Sequence, residues 1–345
     1  MDSVTHAAMG AVFAVALAPR LVGAGAADLV TRRRLAVVGA VAGLLPDADA
    51  FIQSSSDALL LLEYHRHFTH SLAFVPIGAL LAVALCWPFL RRHLNFRAMY
   101  LASLVGYFAH LLLDSCTSYG THLWLPFSSA QAAWQVIAVI DPSFTALLLV
   151  PLFLALRRPE SKAARWALPL AMAYLSVATL QQFRVETAAR ELMQARGHDT
   201  AVANAKPSMA NIILWRSVYA HNGRVYADAI RAGWTMQTYP GTSALLIDAA
   251  EAGRIASGDA NRLRDIERFR AFSKGYIVRD PSSPNTIGDA RYAMVPNDIA
   301  PLWGIRWNGP GAPTEFFNEH DRSPATRQQF IDMLLGREHI AMTGK

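Results

Sequence analysis

The chain has 345 residues, 53% of them hydrophobic and 17% charged, and its mean hydropathy of +0.21 is an apolar excess that ordinary soluble domains do not carry. A formal net charge of +6 comes without a dense basic stripe or interleaved aromatics, which excludes a nucleic-acid partner. Cys86 and Cys116 lie far apart in apolar runs, which excludes a disulfide framework and a thiolate metal site.

The bias is uneven. Residues 1–182 are a string of Ala/Leu/Val-rich runs, and residues 183–345 read as a mixed-charge globular sequence. The expected fold is mainly α: a polytopic transmembrane bundle of about six helices over 1–182, followed by a smaller soluble α+β domain over 183–345. Candidate spans are 5–19, 35–52, 71–90, 98–116, 134–156 and 166–182. Several fall short of the ~20 residues of a full crossing, which bundles tolerate around a polar cavity.

In chain order, Asp2 and His6 stand where a signal peptide would be cationic, so residues 5–18 read as a retained first span. The second span ends at Leu45-Pro46-Asp47-Ala48-Asp49, where Pro46 breaks the helix and turns two carboxylates toward a common centre. Next comes His65-Arg66-His67-Phe68-Thr69-His70-Ser71, directly before an apolar run. His70 is the expected ligand, His65 the next, and His67 is expected to be exposed. Arg66 suits a phosphate, and Thr69 and Ser71 orient ligands or cap the helix that follows. His110 and Asp114, four apart, share one helix face. The turn-rich aromatic stretch from Ser118 to Phe127 is expected as an interfacial wall with Trp124 and Phe127 as belt residues, and Asp141 as a helix cap.

Of twelve Lys/Arg in residues 1–165, eleven fall in three groups: Arg20 with Arg32, Arg33 and Arg34; Arg91, Arg92 and Arg97; and Arg157, Arg158, Lys162 and Arg165. These occupy alternate loops, so the positive-inside rule places them in the cytoplasm and the C-terminal domain outside. At 1.5 Å per helical residue, His6, Asp47 and His110 each lie ~20 Å from the nearest basic group and His70 ~30 Å. All four come to the outer half of a ~30 Å hydrocarbon core. Independent segments converge on one layer, and that predicts a single site.

The expected metal ligands are His6, Asp47, Asp49, His70, His110 and Asp114. His65, Arg66 and Asp49 are the expected catalytic groups. Oxygen and imidazole donors suit a divalent metal, zinc first, with manganese or magnesium as alternatives.

With those residues in hand, the chain resembles the YdjM-type family of membrane-bound, metal-dependent hydrolases. The resemblance rests on Asp2-Ser3-Val4-Thr5-His6, Leu45-Pro46-Asp47-Ala48-Asp49, His65-Arg66 with Thr69-His70-Ser71, and His110 through Asp114. Tyr119-Gly120-Thr121 and Pro126-Phe127-Ser128 complete it, over about residues 1–160. The family is distantly similar to zinc-dependent phospholipase C and P1-type nucleases. It implies a bacterial inner membrane and a phosphoester substrate, and headgroup depth points to a lipid or lipid-linked one. A transporter or metal-ion carrier built on the same ligands is the rival reading, although Ala36 to Gly43 and Ala98 to Gly106 lack ionisable groups. A scaffold with a structural metal is the third.

In the tail, strands are expected at 212–220 and 224–232 around His221-Asn222-Gly223, and at 276–278, 291–295 and 302–307. Helices are expected at 183–205, 244–252, 259–272 and 323–335. Trp215, Trp234, Trp303 and Trp307 are expected in the core or near the membrane surface.

Overall fold

The computed structural model describes residues 1–23, 25, 27–158, 162–198, 202–280, 283–309 and 311–337. The chain forms two compact units, residues 1–52, 64–179 and 209–211, and residues 53–63, 180–208 and 212–345.

The first unit is helical, and its helices start where short polar side chains satisfy the free N–H groups of a first turn. Asp2 accepts from the Thr5 N–H at 3.0 Å to begin α1 (Ser3–Val22), and Asp28 accepts from Thr31 at 2.8 Å to begin α2 (Leu29–Leu44). Pro46 then ends the α-helical ladder, and Leu45–Phe51 tightens into a 3-10 turn. The short α3 (Leu60–Tyr64) closes the excursion of residues 53–63 into the second unit. Ser71 caps a single 3-10 turn that leads into α4 (Val75–Leu90), as expected of it. Asn95 caps α5 (Phe96–Ser115). Asp141 caps α6 (Pro142–Arg157) through the Phe144 N–H and accepts from the Tyr174 hydroxyl at 2.7 Å.

The sixth expected span and the helix expected to leave the membrane are one element, α7 (Ala163–Ala195), 33 residues long. Of the 183–205 expectation, residues 199–201 lie outside the described residues.

Among the described residues, four helices are long and apolar enough to cross a membrane: α1, Leu72–Leu90, α5 and α7. Of the six or so spans expected, these four reach that length and hydropathy. Both α2 and α6 have only 16 residues, about 24 Å at the helical rise against a ~30 Å core. Pro46 truncates α2, whose first turns also carry Arg32, Arg33 and Arg34.

Small residues let α1, α2 and α5 approach backbone to backbone. A Cβ on Gly10 would lie 2.1 Å from the Gly39 carbonyl oxygen, and one on Gly39 would lie 2.2 Å from the Gly10 oxygen. On Gly43 it would meet the His6 oxygen at 2.5 Å, and on Gly106 the Gly39 oxygen at 2.8 Å. Such spacing of small residues is what close helix packing in lipid requires.

In the second unit, β1 (Asn204–Pro207), β2 (Leu214–His221), β3 (Arg224–Ala232) and β4 (Met236–Tyr239) form an antiparallel sheet in that order, with β5 (Ser243–Leu245) also on β3. The β2–β3 hairpin turns through Asn222 (φ 47°) and Gly223 (φ 72°), the left-handed pair a two-residue turn needs. Helices α8 (Ala249–Ala256) and α9 (Ala260–Phe272) follow. A second antiparallel sheet holds β6 (Ile277–Asp280), β7 (Ser283–Asp289), β8 (Trp303–Arg306) and β9 (Glu315–Asn318), and α10 (Pro324–Leu335) comes last.

Two tail expectations are corrected. The helix expected at 244–252 begins only at Ala249, because Ser243–Leu245 pairs with β3. No strand forms at 291–295. There Arg291 folds back on Asp289 at 2.6 Å and bends the chain, so the strand lies before it, at Ser283–Asp289. Trp215, Trp303 and Trp307 are buried, but Trp234 is fully exposed in the turn between β3 and β4.

Lys206 is buried on β1, its ammonium 3.3 Å from the centre of the Tyr292 ring. Burial, and then Arg291, hold it well below the usual lysine range. The unfolded chain therefore binds more protons than the folded one between that lowered value and the ordinary 10.5. Stability should rise with pH across this window and be lost as pH falls. Lys206→Met is expected to flatten the dependence and to stabilise at pH 7 by on the order of 1 kcal/mol, read from denaturant melts at pH 7 and 9.5.

Candidate metal centre

Four segments of the first unit deliver side chains to one point. Two adjacent turns of α5 bring His110 and Asp114, and the 3-10 turn after α2 brings Asp47 and Asp49. The 3-10 turn Phe68–His70 brings His70, and the first turns of α1 bring His6. His6, His70 and Asp114 are fully buried, and His110 and Asp49 nearly so. The Asp47 side chain keeps 24% exposure, so the cluster has one open side.

At the centre His70 Nε2 lies 3.0 Å from His110 Nε2, 3.6 Å from Asp47 Oδ1 and 3.4 Å from Asp114 Oδ2. His110 Nε2 lies 3.5 Å from Asp47 Oδ1 and 3.6 Å from Asp114 Oδ2. These four residues form one group whose geometry can hold a metal ion.

The tautomers follow from the outer partners. His110 Nδ1 meets the Gly43 carbonyl at 2.7 Å; a carbonyl only accepts, so Nδ1 carries the proton. His70 Nδ1 faces Asp49 Oδ2 at 3.1 Å and the Thr69 hydroxyl, which itself donates to Asp49 at 2.6 Å. Nδ1 is the donor there as well. Both Nε2 lone pairs then point at each other and at two carboxylate oxygens. Four acceptors converging in a buried site repel one another unless a cation joins them. Asp114 Oδ2 is buried and accepts no well-aligned hydrogen bond, with the Arg66 guanidinium 3.0 Å away. The residues present fit a divalent metal.

The remaining expected residues surround this group. His6 stacks on His110 with ring centres 3.5 Å apart, and its Nε2 meets the other Asp114 oxygen at 3.1 Å. The structure thus places His6 as a partner of Asp114, outside the four-residue group. Asp49 binds His65 Nδ1 at 2.8 Å and the Arg66 backbone N–H at 2.9 Å. With Asp47 and His65 it makes a second, overlapping group able to hold an ion. Arg66 adopts a left-handed backbone (φ 64°), so its N–H reaches Asp49 while its carbonyl accepts from His122. Its guanidinium lies 3.0 Å from Asp114 Oδ2, donates to the Thr117 hydroxyl at 2.8 Å, and stands 5.1 Å from the centre of the Tyr119 ring.

His67, expected to be exposed, is half-buried, with its ring 5.1 Å from that of His122. Trp124 and Phe127 are exposed, Phe127 at 90%.

The profile of the YdjM inner membrane protein family matches residues 1–185, more than half of the chain and all the residues above. The chain belongs to the YdjM family. It is 36% identical over 140 residues to the inner membrane protein YbcI of Escherichia coli K12, covering 75% of that protein and 39% of this chain. It is 27% identical over 143 residues to the uncharacterized protein YfhP of Bacillus subtilis 168, covering 42% of that protein and 41% of this chain. The chain thus spans less than half the length of YfhP. No solved structure matches the chain. YdjM membership and four apolar helices agree on a membrane protein.

Three supports of this YdjM site were not visible in the sequence: the Gly43 carbonyl on His110, the Thr117 hydroxyl on Arg66, and the Tyr107 hydroxyl, which donates to the Thr69 carbonyl at 2.7 Å. For Gly43 a signal existed in the four-residue spacing from Gly39.

Proposed function

We propose that the protein is an integral-membrane, metal-dependent hydrolase that cleaves a phosphoester of a lipid or lipid-linked substrate. The observation that carries this reading is the convergence of His70 Nε2, His110 Nε2, Asp47 Oδ1 and Asp114 Oδ2 at 3.0–3.6 Å. A tetrahedron with bonds of about 2.0–2.1 Å has edges of about 3.3–3.4 Å, which favours zinc over a six-coordinate ion. When bound, such an ion supplies Lewis acidity, acidifying water and polarising a phosphoryl group.

The chain's own groups do the rest. Asp49 and the Gly43 carbonyl fix the two imidazoles so that both Nε2 atoms face inward. His6 orients Asp114. His65, 35% exposed and hydrogen-bonded to Asp49, carries protons between the site and water. Arg66, paired with Asp114 and held by Thr117 and the Tyr119 face, would offer its guanidinium to a phosphoryl oxygen of the substrate. The basic loops support an outward-facing site and an extracytoplasmic C-terminal domain.

Purified protein in detergent should hydrolyse headgroup-labelled phospholipid, and His70→Ala should reduce turnover by at least about 100-fold. Metal-loaded wild type that turns over none of a panel of lipid phosphoesters would remove the hydrolase reading and leave a carrier or a structural site.

A further inference from the structure

The chain leaves the helical unit after Ile52 and returns to it at Tyr64. This excursion separates Asp47 and Asp49 from His65 and His70, so its conformation sets how the two halves of the centre meet. Its base is closed by Asp49, which binds His65 Nδ1 and the Arg66 N–H.

The rest of the excursion packs within the C-terminal unit. Leu59 is buried there, and one side chain of α9 holds two carboxylates of the loop at once. Arg268 donates to Asp57 from Nη1 at 3.0 Å and from Nη2 at 2.9 Å, and to Glu63 from Nε at 2.7 Å and Nη2 at 2.9 Å. Bidentate guanidinium–carboxylate pairs fix geometry as well as distance. Asp57 also accepts the Leu59 N–H at 3.0 Å at the approach to α3, and Glu63 lies within α3, two residues before His65. The Arg268 guanidinium holds the Asp57 carboxyl below its usual range.

We infer that Arg268 is a positioning residue of the metal centre: by clamping Asp57 and Glu63 it pre-orders the loop that joins Asp49 to His65. This rests on the proposed metal site and adds to it a residue outside the matched residues 1–185. A free loop of this length must be ordered each time its flanking ligands are brought together, and prior ordering removes that cost from binding.

The test uses full-length protein in detergent, with zinc affinity measured against a chromophoric chelator. Removing an outer-shell partner costs about 10–100-fold in metal affinity; Arg268 acts one step further out, so Arg268→Gln should lose about tenfold. Glu63→Gln, at a partly exposed position, should lose less but in the same direction. Arg268→Lys, which keeps a cation between Asp57 and Glu63, should retain more of the affinity than Arg268→Gln, which a role in packing alone would not require. Near-ultraviolet circular dichroism of the C-terminal tryptophans should stay native throughout. Wild-type affinity in both Arg268→Gln and Glu63→Gln, or a loss in Arg268→Lys as large as in Arg268→Gln, overturns the inference while the metal site stands. Wild type that holds no zinc removes the metal site itself.

Discussion

Alanine at His110 or at Asp114 is expected to strip the protein of its divalent metal. Each residue supplies one of four converging acceptor atoms, and His110 Nε2 is aimed by the bond of its Nδ1 to the Gly43 carbonyl. Losing a ligand should exceed the ~10–100-fold affinity loss typical of an outer-shell partner. Asp49→Asn, which in the first group touches only the residue that orients His70, should fall within that range for that group. Inductively coupled plasma mass spectrometry on detergent-purified protein reads both effects. Asp114 also meets Arg66 and the Met1 amino group, so Asp114→Ala leaves buried cations uncompensated, a change that costs about 3–5 kcal/mol. Asp114→Asn keeps the shape but not the charge, and a thermal melt beside the metal analysis separates metal loss from unfolding. Stoichiometric metal in Asp114→Asn and His110→Ala, or none in wild type, would refute the centre.

Gly39→Leu is expected to be the most damaging substitution away from the site. A Cβ at Gly39 would stand 2.2 Å from the Gly10 oxygen and 2.8 Å from the Ala14 side chain. Both obstacles belong to α1, and a helix backbone cannot give by more than a few tenths of an ångström without moving as a body. The helices must part, at a cost of at least about 3 kcal/mol. Parting them also carries His6 away from His110 and Asp114, so the variant should lose metal affinity along with thermal stability. Gly253→Ala is the control. It lies in α8 with nothing within 4 Å of an added Cβ, and should be neutral or stabilise by about 0.5–1 kcal/mol. Equal melting temperatures for Gly39→Leu and wild type would show that the close approach of α1 and α2 does not hold the bundle together.

That the site residues share one layer was legible in the sequence. His6, Asp47, His70, His110 and Asp114 sit at fixed numbers of residues from basic loops, and helical rise turns such counts into distance along a membrane normal. Local chemistry was legible too: the Asp141 cap, the Asn222-Gly223 turn and the break at Pro46 each depend only on near neighbours in the chain. The length of each helix was not. Hydropathy marks apolar runs, but where a helix stops depends on caps and prolines, and α2 and α6 stop at 16 residues.

Direction within the shared layer was decided by tertiary structure alone. Sequence spacing puts His110 and Asp114 on one helix face, but only the packing of α1, α2 and α5 through Gly10, Gly39, Gly43 and Gly106 turns that face toward Asp47 and His70. The same packing separates two kinds of residue that composition cannot distinguish: Asp47 and Asp114, whose oxygens face both imidazole Nε2 atoms, and Asp49 and His6, which hold those ligands from behind. The reason is physical. Depth is a one-dimensional quantity carried by the chain itself, whereas facing is set by contacts between residues as far apart as His6 and Asp114, which no local pattern encodes.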